Sequence, residues 1–259
     1  MGHRSVFWRS DHGDGKLTAL ALNRMKIEIL TIFPDYFASP LATSLLGRAI
    51  ETGLLQVTVT DLRTFSEDKH HKVDDEPFGG GAGMVMTVPV IAAAVEKRRG
   101  DPQAWSVLLT PDGERLDQAL LHRLTQRERL IVFCGRYEGI DERARLLGLF
   151  DQEISLGDFV LPGGEVAALA LVEALSRLVP GVVGRAESVE RESFASDRLD
   201  YPQYTRPRDF RGLAVPDLLL SGDHARIERW RRARALERTR QRRPDLLKIR
   251  PEEPGETDE

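Results

Sequence analysis

The stretch from Cys134 to Glu165, CGRYEGIDERARLLGLFDQEISLGDFVLPGGE, restricts the fold more than any other part of the chain. Gly135, Gly139, Gly157, Gly163 and Gly164 punctuate apolar runs within it. It opens where the β-type run Leu130-Ile131-Val132-Phe133-Cys134 meets a glycine and then charged residues. Ligands of open α/β sheets sit at the carboxyl ends of strands, and glycine there lets backbone approach them closely. Two such glycine sites within about 30 residues point to one ligand-bearing sheet edge rather than to turn geometry alone.

The rest of the chain supplies the other strands and helices. Ile27 to Phe33 is a β-branched run stopped by Pro34, and Val57-Thr58-Val59-Thr60 alternates as a half-buried strand. Trp105 to Leu109 ends in the turn Thr110-Pro111-Asp112-Gly113, and Ile154-Ser155-Leu156 is a short fifth strand. Between them, helical spacing predicts helices near 45–53, 88–97 and 116–124. A short helix capped by Asp141 and a nearly all-apolar helix over 165–178 follow. Strands alternating with helices predict an α/β fold with a mostly parallel sheet over residues 25–184.

Beyond Gly184 the composition changes. Residues 185–216 have few apolar runs and prolines at 202, 207 and 216, as a flexible linker would. Leu218 to Arg243 recovers helical character, with Ser221 or Asp223 as cap and a narrow stripe of Ile227, Trp230 and Leu236, which predicts a small helical domain over 217–250. Residues 1–24 and 251–259 read as a disordered extension and tail, and Met25 offers an alternative start. From Arg206 to Arg250 there are fourteen Arg and Lys against six Asp and Glu, a net +8 in a chain of net −4. A basic module on an acidic body suits a polyanionic partner. The single cysteine, Cys134, permits no intramolecular disulfide and suits a reducing cytoplasm, and no run is long and apolar enough for a membrane span.

Several common chemistries lack their residues. The position after the first strand reads Phe33-Pro34-Asp35-Tyr36, without the glycines of a dinucleotide fold, and there is no phosphate-binding G-x-x-x-x-G-K-[ST] loop. His70 and His71 have no further ligand spacing for zinc, so no metal site is assigned. In contrast, three strand ends, at Leu109-Thr110-Pro111, Cys134 to Gly139 and Leu156 to Leu161, suit a pocket offering backbone groups to a flat heterocycle.

At these loops the chain resembles the bacterial tRNA (guanine-N1)-methyltransferases of the SPOUT superfamily. The resemblance runs from about Met25 to Arg243 through VDDEPFGGGAGMVM, CGRYEGIDER, SLGDFVLPGGE, SFAS, YTRP and LLSGDHARIERWR. It implies S-adenosylmethionine held in a C-terminal trefoil knot formed from roughly Leu108 to Gly164, in a homodimer whose active sites draw on both chains. By motif, the cofactor would be lined by Leu109, Thr110, Pro111, Gly135, Tyr137, Glu138, Leu156, Gly157, Asp158, Phe159, Val160, Leu161, Gly163 and Gly164. The implied substrate is the guanosine just 3′ of the anticodon (position 37), so the partner is a tRNA anticodon stem-loop rather than DNA or a membrane. Arg206, Ser221, Asp223, His224 and Arg226 would bind that RNA. The resemblance also implies assistance by Mg²⁺, although no carboxylate cluster in the sequence marks its site.

Methylating guanine N1 requires a base for its proton and a cation or donor for charge growing on O6. The resemblance assigns the second role to Arg177 and the first to the carboxylate before Ser193-Phe194-Ala195. The family has aspartate there and this chain has Glu192, one methylene longer, with Glu190 and Asp197 nearby. Gln203 stands where the family often has histidine, and Asp223 where it has asparagine. These departures keep two alternatives open: a non-catalytic RNA-binding protein of the same fold, and a relative that methylates another RNA position.

Overall fold

The computed structural model describes residues 25–183, 193, 194 and 198–247. The expectations for the two termini, for residues 184–192 and 195–197 of the linker, and for Glu190, Glu192 and Asp197 lie outside the described residues.

The central sheet has five strands: β1 (Met25–Thr31), β2 (Leu55–Asp61), β5 (Ala104–Arg115), β6 (Arg129–Cys134) and β7 (Gln152–Ser155). Their spatial order is β2-β1-β6-β5-β7, and every pairing is parallel. The helices are α1 (Ala38–Leu41), α2 (Ser44–Glu51), α3 (Val88–Arg99), α4 (Gln118–Leu124), α5 (Arg143–Leu146) and α6 (Glu165–Leu178). Helices cover both faces, so β6 is a continuous apolar run from Leu130 to Cys134, whereas Lys26 and Glu28 interrupt β1. The pleat still sorts their side chains. Leu130, Val132 and Cys134 of β6 join the core under α2, α4 and α6, whereas Ile131 and Phe133 join the core under α3 and α5.

Among the described strand residues one carboxylate is buried. Glu28 of β1 is 8% exposed and accepts hydrogen bonds from Arg98 Nε (2.7 Å), Arg129 Nη2 (3.1 Å) and Thr60 Oγ1 (2.8 Å). Burial works against its charge, but the hydrogen bonds, led by those from Arg98 and Thr60, hold its carboxyl below the usual range.

Two expectations change. The third strand does not end at Leu109: β5 pairs with β7 through Leu109↔Ile154, bulges at 110–113, and pairs again at Glu114↔Ile154 and Arg115↔Ser155. A Cβ on Gly113 would stand 2.3 Å from Ile154 N, so only glycine admits this backbone contact. The polar segment before α3 also contains a two-stranded ribbon, β3 (Asp74–Asp75) with β4 (Val85–Met86), too short to leave a periodic signal.

In the C-terminal region, β8 (Asp209–Phe210) and β9 (Leu213–Ala214) form a small hairpin and α7 spans His224–Arg242. The helix expected from Leu218 is interrupted: a 3-10 turn occupies Asp217–Leu220, Gly222 takes φ +73°, and Asp223 caps α7 by accepting from Arg226 N at 3.0 Å.

Candidate active site

The bulge of β5 and the loops that leave the carboxyl ends of β6 and β7 converge on a cleft of about 350 Å³. Twelve of the fourteen cofactor residues expected from sequence line it: Leu109, Thr110, Pro111, Gly135, Tyr137, Glu138, Leu156, Phe159, Val160, Leu161, Gly163 and Gly164. Gly157 and Asp158 belong to the same loop but do not line the cleft; Gly157 instead supplies the bend, at φ +148°.

Backbone proximity decides the rear wall. Gly164 N donates to Gly135 O at 2.9 Å, and a Cβ on Gly164 would lie 2.8 Å from Cys134 Cα. The start of α6 therefore sits directly on the end of β6. Glu165, 1% exposed, follows at once and accepts from Thr31 Oγ1 (2.7 Å) and Arg136 Nε (2.9 Å). Thr31 Oγ1 in turn accepts from Phe33 N (2.9 Å), and the Arg136 guanidinium lies 4.5 Å from the centre of the Phe33 ring. A connected network thus ties the loop after β6 to β1 and α6. Cys134 lies behind it, its thiol pushed well up first by burial and then by the charge of Glu165.

The other walls are held by further polar contacts. Arg145 reaches Glu153 (3.0 Å), Glu142 (2.9 Å), Asp112 (3.3 Å) and Thr110 (3.4 Å), fixing the bulge of β5. The ribbon supports the loop after β6: Glu138 N donates to Met84 O (3.0 Å), and Met86 N to Gly139 O (3.0 Å). Tyr137 adopts φ +62°, a conformation that costs energy for a bulky residue and is concentrated at ligand sites. Burial and then the Asp74 carboxylate push its phenol up.

Arg136, Ile140, Arg145, Ser155 and Ala167 also line the cleft and were not singled out from sequence. Arg136 lies inside the CGRYEG motif, but its partner Glu165 is 29 residues away and only the fold brings them together. The remaining signal was an acidic residue in the first turn of an otherwise apolar helix. Chemically, the cleft offers apolar walls and free-standing loop backbone to a flat heterocycle, and the carboxylates of Asp112 and Glu138 to a cationic group.

The other expected residues are dispersed. Arg177 lies exposed in the last turn of α6 and does not line the cleft. Arg206 and His224 line a second cavity, beside α7. Ser221, Asp223 and Arg226 do not; Ser221 Oγ donates to Leu218 O (2.8 Å), and Asp223 is occupied by its capping bond. Among the described residues no group of three or more His, Cys, Asp or Glu is arranged to hold a metal ion, and no helix is long and apolar enough to cross a membrane.

The family model described as tRNA (Guanine-1)-methyltransferase TrmD matches residues 25–249. A tRNA (guanine-N(1)-)-methyltransferase of Anaeromyxobacter dehalogenans is 55% identical over 227 residues, covering 86% of this chain and 91% of that protein. Proteins of the same name from Geotalea uraniireducens and Trichodesmium erythraeum are 54% identical over 224 residues and 53% identical over 225. Their matches cover 86% of this chain in both cases, and 90% and 98% of those proteins. Because the match spans the three cleft loops and the basic C-terminal helix alike, the chain belongs to the tRNA (guanine-1)-methyltransferase family.

Proposed function

We propose that this methyltransferase acts on the guanosine immediately 3′ of the tRNA anticodon, transferring a methyl group to its N1 from S-adenosylmethionine held in the 350 Å³ cleft. The observation that carries this reading is that two segments of the family resemblance, CGRYEGIDER and SLGDFVLPGGE, line the cleft.

The cofactor supplies an electrophilic methyl group on a sulfonium. The residues present fit it: Leu109, Leu156 and Leu161 give apolar walls for an adenine, the glycine-rich backbone admits close approach, and Asp112 and Glu138 balance positive charge. The Arg136–Glu165 pair keeps the loop after β6 in place, so that the site is preorganised before the RNA arrives. Mg²⁺ finds no such fit among the described residues, and no step is routed through it.

The N1 proton of the guanine must leave as the methyl group arrives. Glu192 takes it as general base, and Arg177 offsets the charge that develops on O6. Arg177 stands away from the cleft of its own chain, and a homodimer with sites drawn from both chains accounts for that position. The segment from Leu108 to Gly164 forms the family's trefoil knot, and the helical C-terminal region grips the anticodon stem through arginine contacts to phosphates. The protein works in the cytoplasm, where its thiol needs no partner.

The test uses labelled cofactor and tRNA transcripts that carry or lack the target guanosine. Label is expected only in transcripts that carry it. Glu192→Gln should lose transfer and keep cofactor affinity; near-normal turnover would remove Glu192 as the base. Cofactor binding by the wild type without transfer to any transcript would favour a non-catalytic RNA-binding protein instead.

A further inference from the structure

The second cavity, about 620 Å³, opens between residues 201–208 and the first half of α7. Its floor is apolar, formed by Val215, Leu219 and Ile227. One wall is aromatic: Tyr204, 49% exposed, stands 6.4 Å from Trp230 between ring centres at an angle of 51°. Its rim carries Arg206, Arg208, which pairs with Asp217 at 2.9 Å, and His224.

Arg231 makes the chemistry more specific. Its guanidinium lies 4.8 Å from the centre of the Tyr201 ring, and Nη1 donates to Glu228 at 2.7 Å. Its Nε is buried and has no hydrogen-bond partner among the described residues. Gln203, whose Nε2 donates to Asp200 Oδ2 at 3.0 Å, adds an amide to the same wall.

An apolar floor, an exposed aromatic face and a guanidinium-rich rim suit an unstacked nucleobase with its phosphate better than a paired duplex, which would need only the charges. We propose that this cavity takes one unstacked nucleotide of the tRNA anticodon loop other than the methyl-accepting guanosine. The base stacks on Tyr204, and the phosphate lies at the Arg206 and His224 rim. The assignment rests on the tRNA reading above and adds a residue-level determinant of which loop is accepted.

The experiment measures binding of wild type, Tyr204→Phe and Tyr204→Ala to an anticodon stem-loop RNA, with one abasic residue placed in turn at each loop position except the target guanosine. Stacking on one aromatic side chain amounts to about 5- to 150-fold in affinity. One abasic position is therefore expected to weaken wild type and Tyr204→Phe by at least about 5-fold, and Tyr204→Ala hardly further. The salt dependence of binding should be the same in Tyr204→Ala as in wild type, because no phosphate contact is removed. Equal losses in all three proteins at every position would overturn the assignment, as would wild-type affinity for the intact loop in Tyr204→Ala. If wild type itself neither bound nor methylated any tRNA, the functional reading would fall and the cavity assignment with it. Wild-type methylation combined with absent coupling would sink the cavity assignment alone.

Discussion

Replacing Glu165 by glutamine tests whether the loop after β6 is held by a buried charge network. The wild-type carboxylate is 1% exposed and accepts from Thr31, itself fully buried, and from Arg136. Glutamine keeps one acceptor oxygen but turns the other into an amide facing a donor. One charge-assisted bond is lost, and a buried donor is left without an acceptor. Hydrogen bonds to charged groups contribute about 1.5–3 kcal/mol each, and an orphaned buried donor costs about 1–3 kcal/mol, so Glu165→Gln should cost about 3 kcal/mol. Urea unfolding of the ligand-free protein would read this as a midpoint lowered by about 1 M or more at unchanged slope. The double variant with Arg136→Met isolates the pair, and a coupling above about 1 kcal/mol is expected because the two side chains are in direct contact. A loss under about 1 kcal/mol for Glu165→Gln, or additive effects in the cycle, would refute the network as the element that fixes the loop.

Three further outcomes follow from the same structure. Glu28→Gln should destabilise the protein by about 2–4 kcal/mol at neutral pH, because it leaves Arg98 and Arg129 facing a neutral group within the sheet. The folded Glu28 carboxyl titrates below its ordinary value of 4.5, so its contribution is present above that pH and is lost as pH falls through the lower folded value. The stability gap between the two proteins should then close in acid, and a gap constant from pH 7 to pH 3 would contradict the assignment. Gly164→Ala forces a methyl against Cys134 Cα at 2.8 Å and should cost about 1–3 kcal/mol, seen in calorimetry as a melting point lower by roughly 2–12 °C. An unchanged melting point would show that α6 is free to retreat from β6. Cys134, fully buried with its thiol pushed up by burial, should react with a disulfide reagent only as fast as the protein unfolds; rapid labelling of the native protein at pH 8 would disprove that packing.

The elements that sequence predicted well are those whose signal is local. β6 is a buried apolar run followed by glycine, α6 is apolar almost throughout, and both lie where their residues suggest. The cleft loops were legible because special-backbone residues cluster at strand ends, where a parallel sheet places its ligands. Errors arose where a distant partner overrides the local signal. Thr110-Pro111-Asp112-Gly113 reads as a strand-ending turn, yet β7 recaptures the chain at Glu114 and turns the stop into a bulge.

The sequence by itself determined the α/β class, the carboxyl-edge cleft and the basic character of the C-terminal region, because periodicity, glycine placement and charge are properties of neighbours along the chain. Tertiary structure decided the strand order β2-β1-β6-β5-β7, the Arg136–Glu165–Thr31 network and the aromatic cavity beside α7. Glu165 shows the physical reason. Alone it is an ordinary helix-starting carboxylate, and it becomes a buried anchor only when folding brings it to a hydroxyl 134 residues away and a guanidinium 29 residues away.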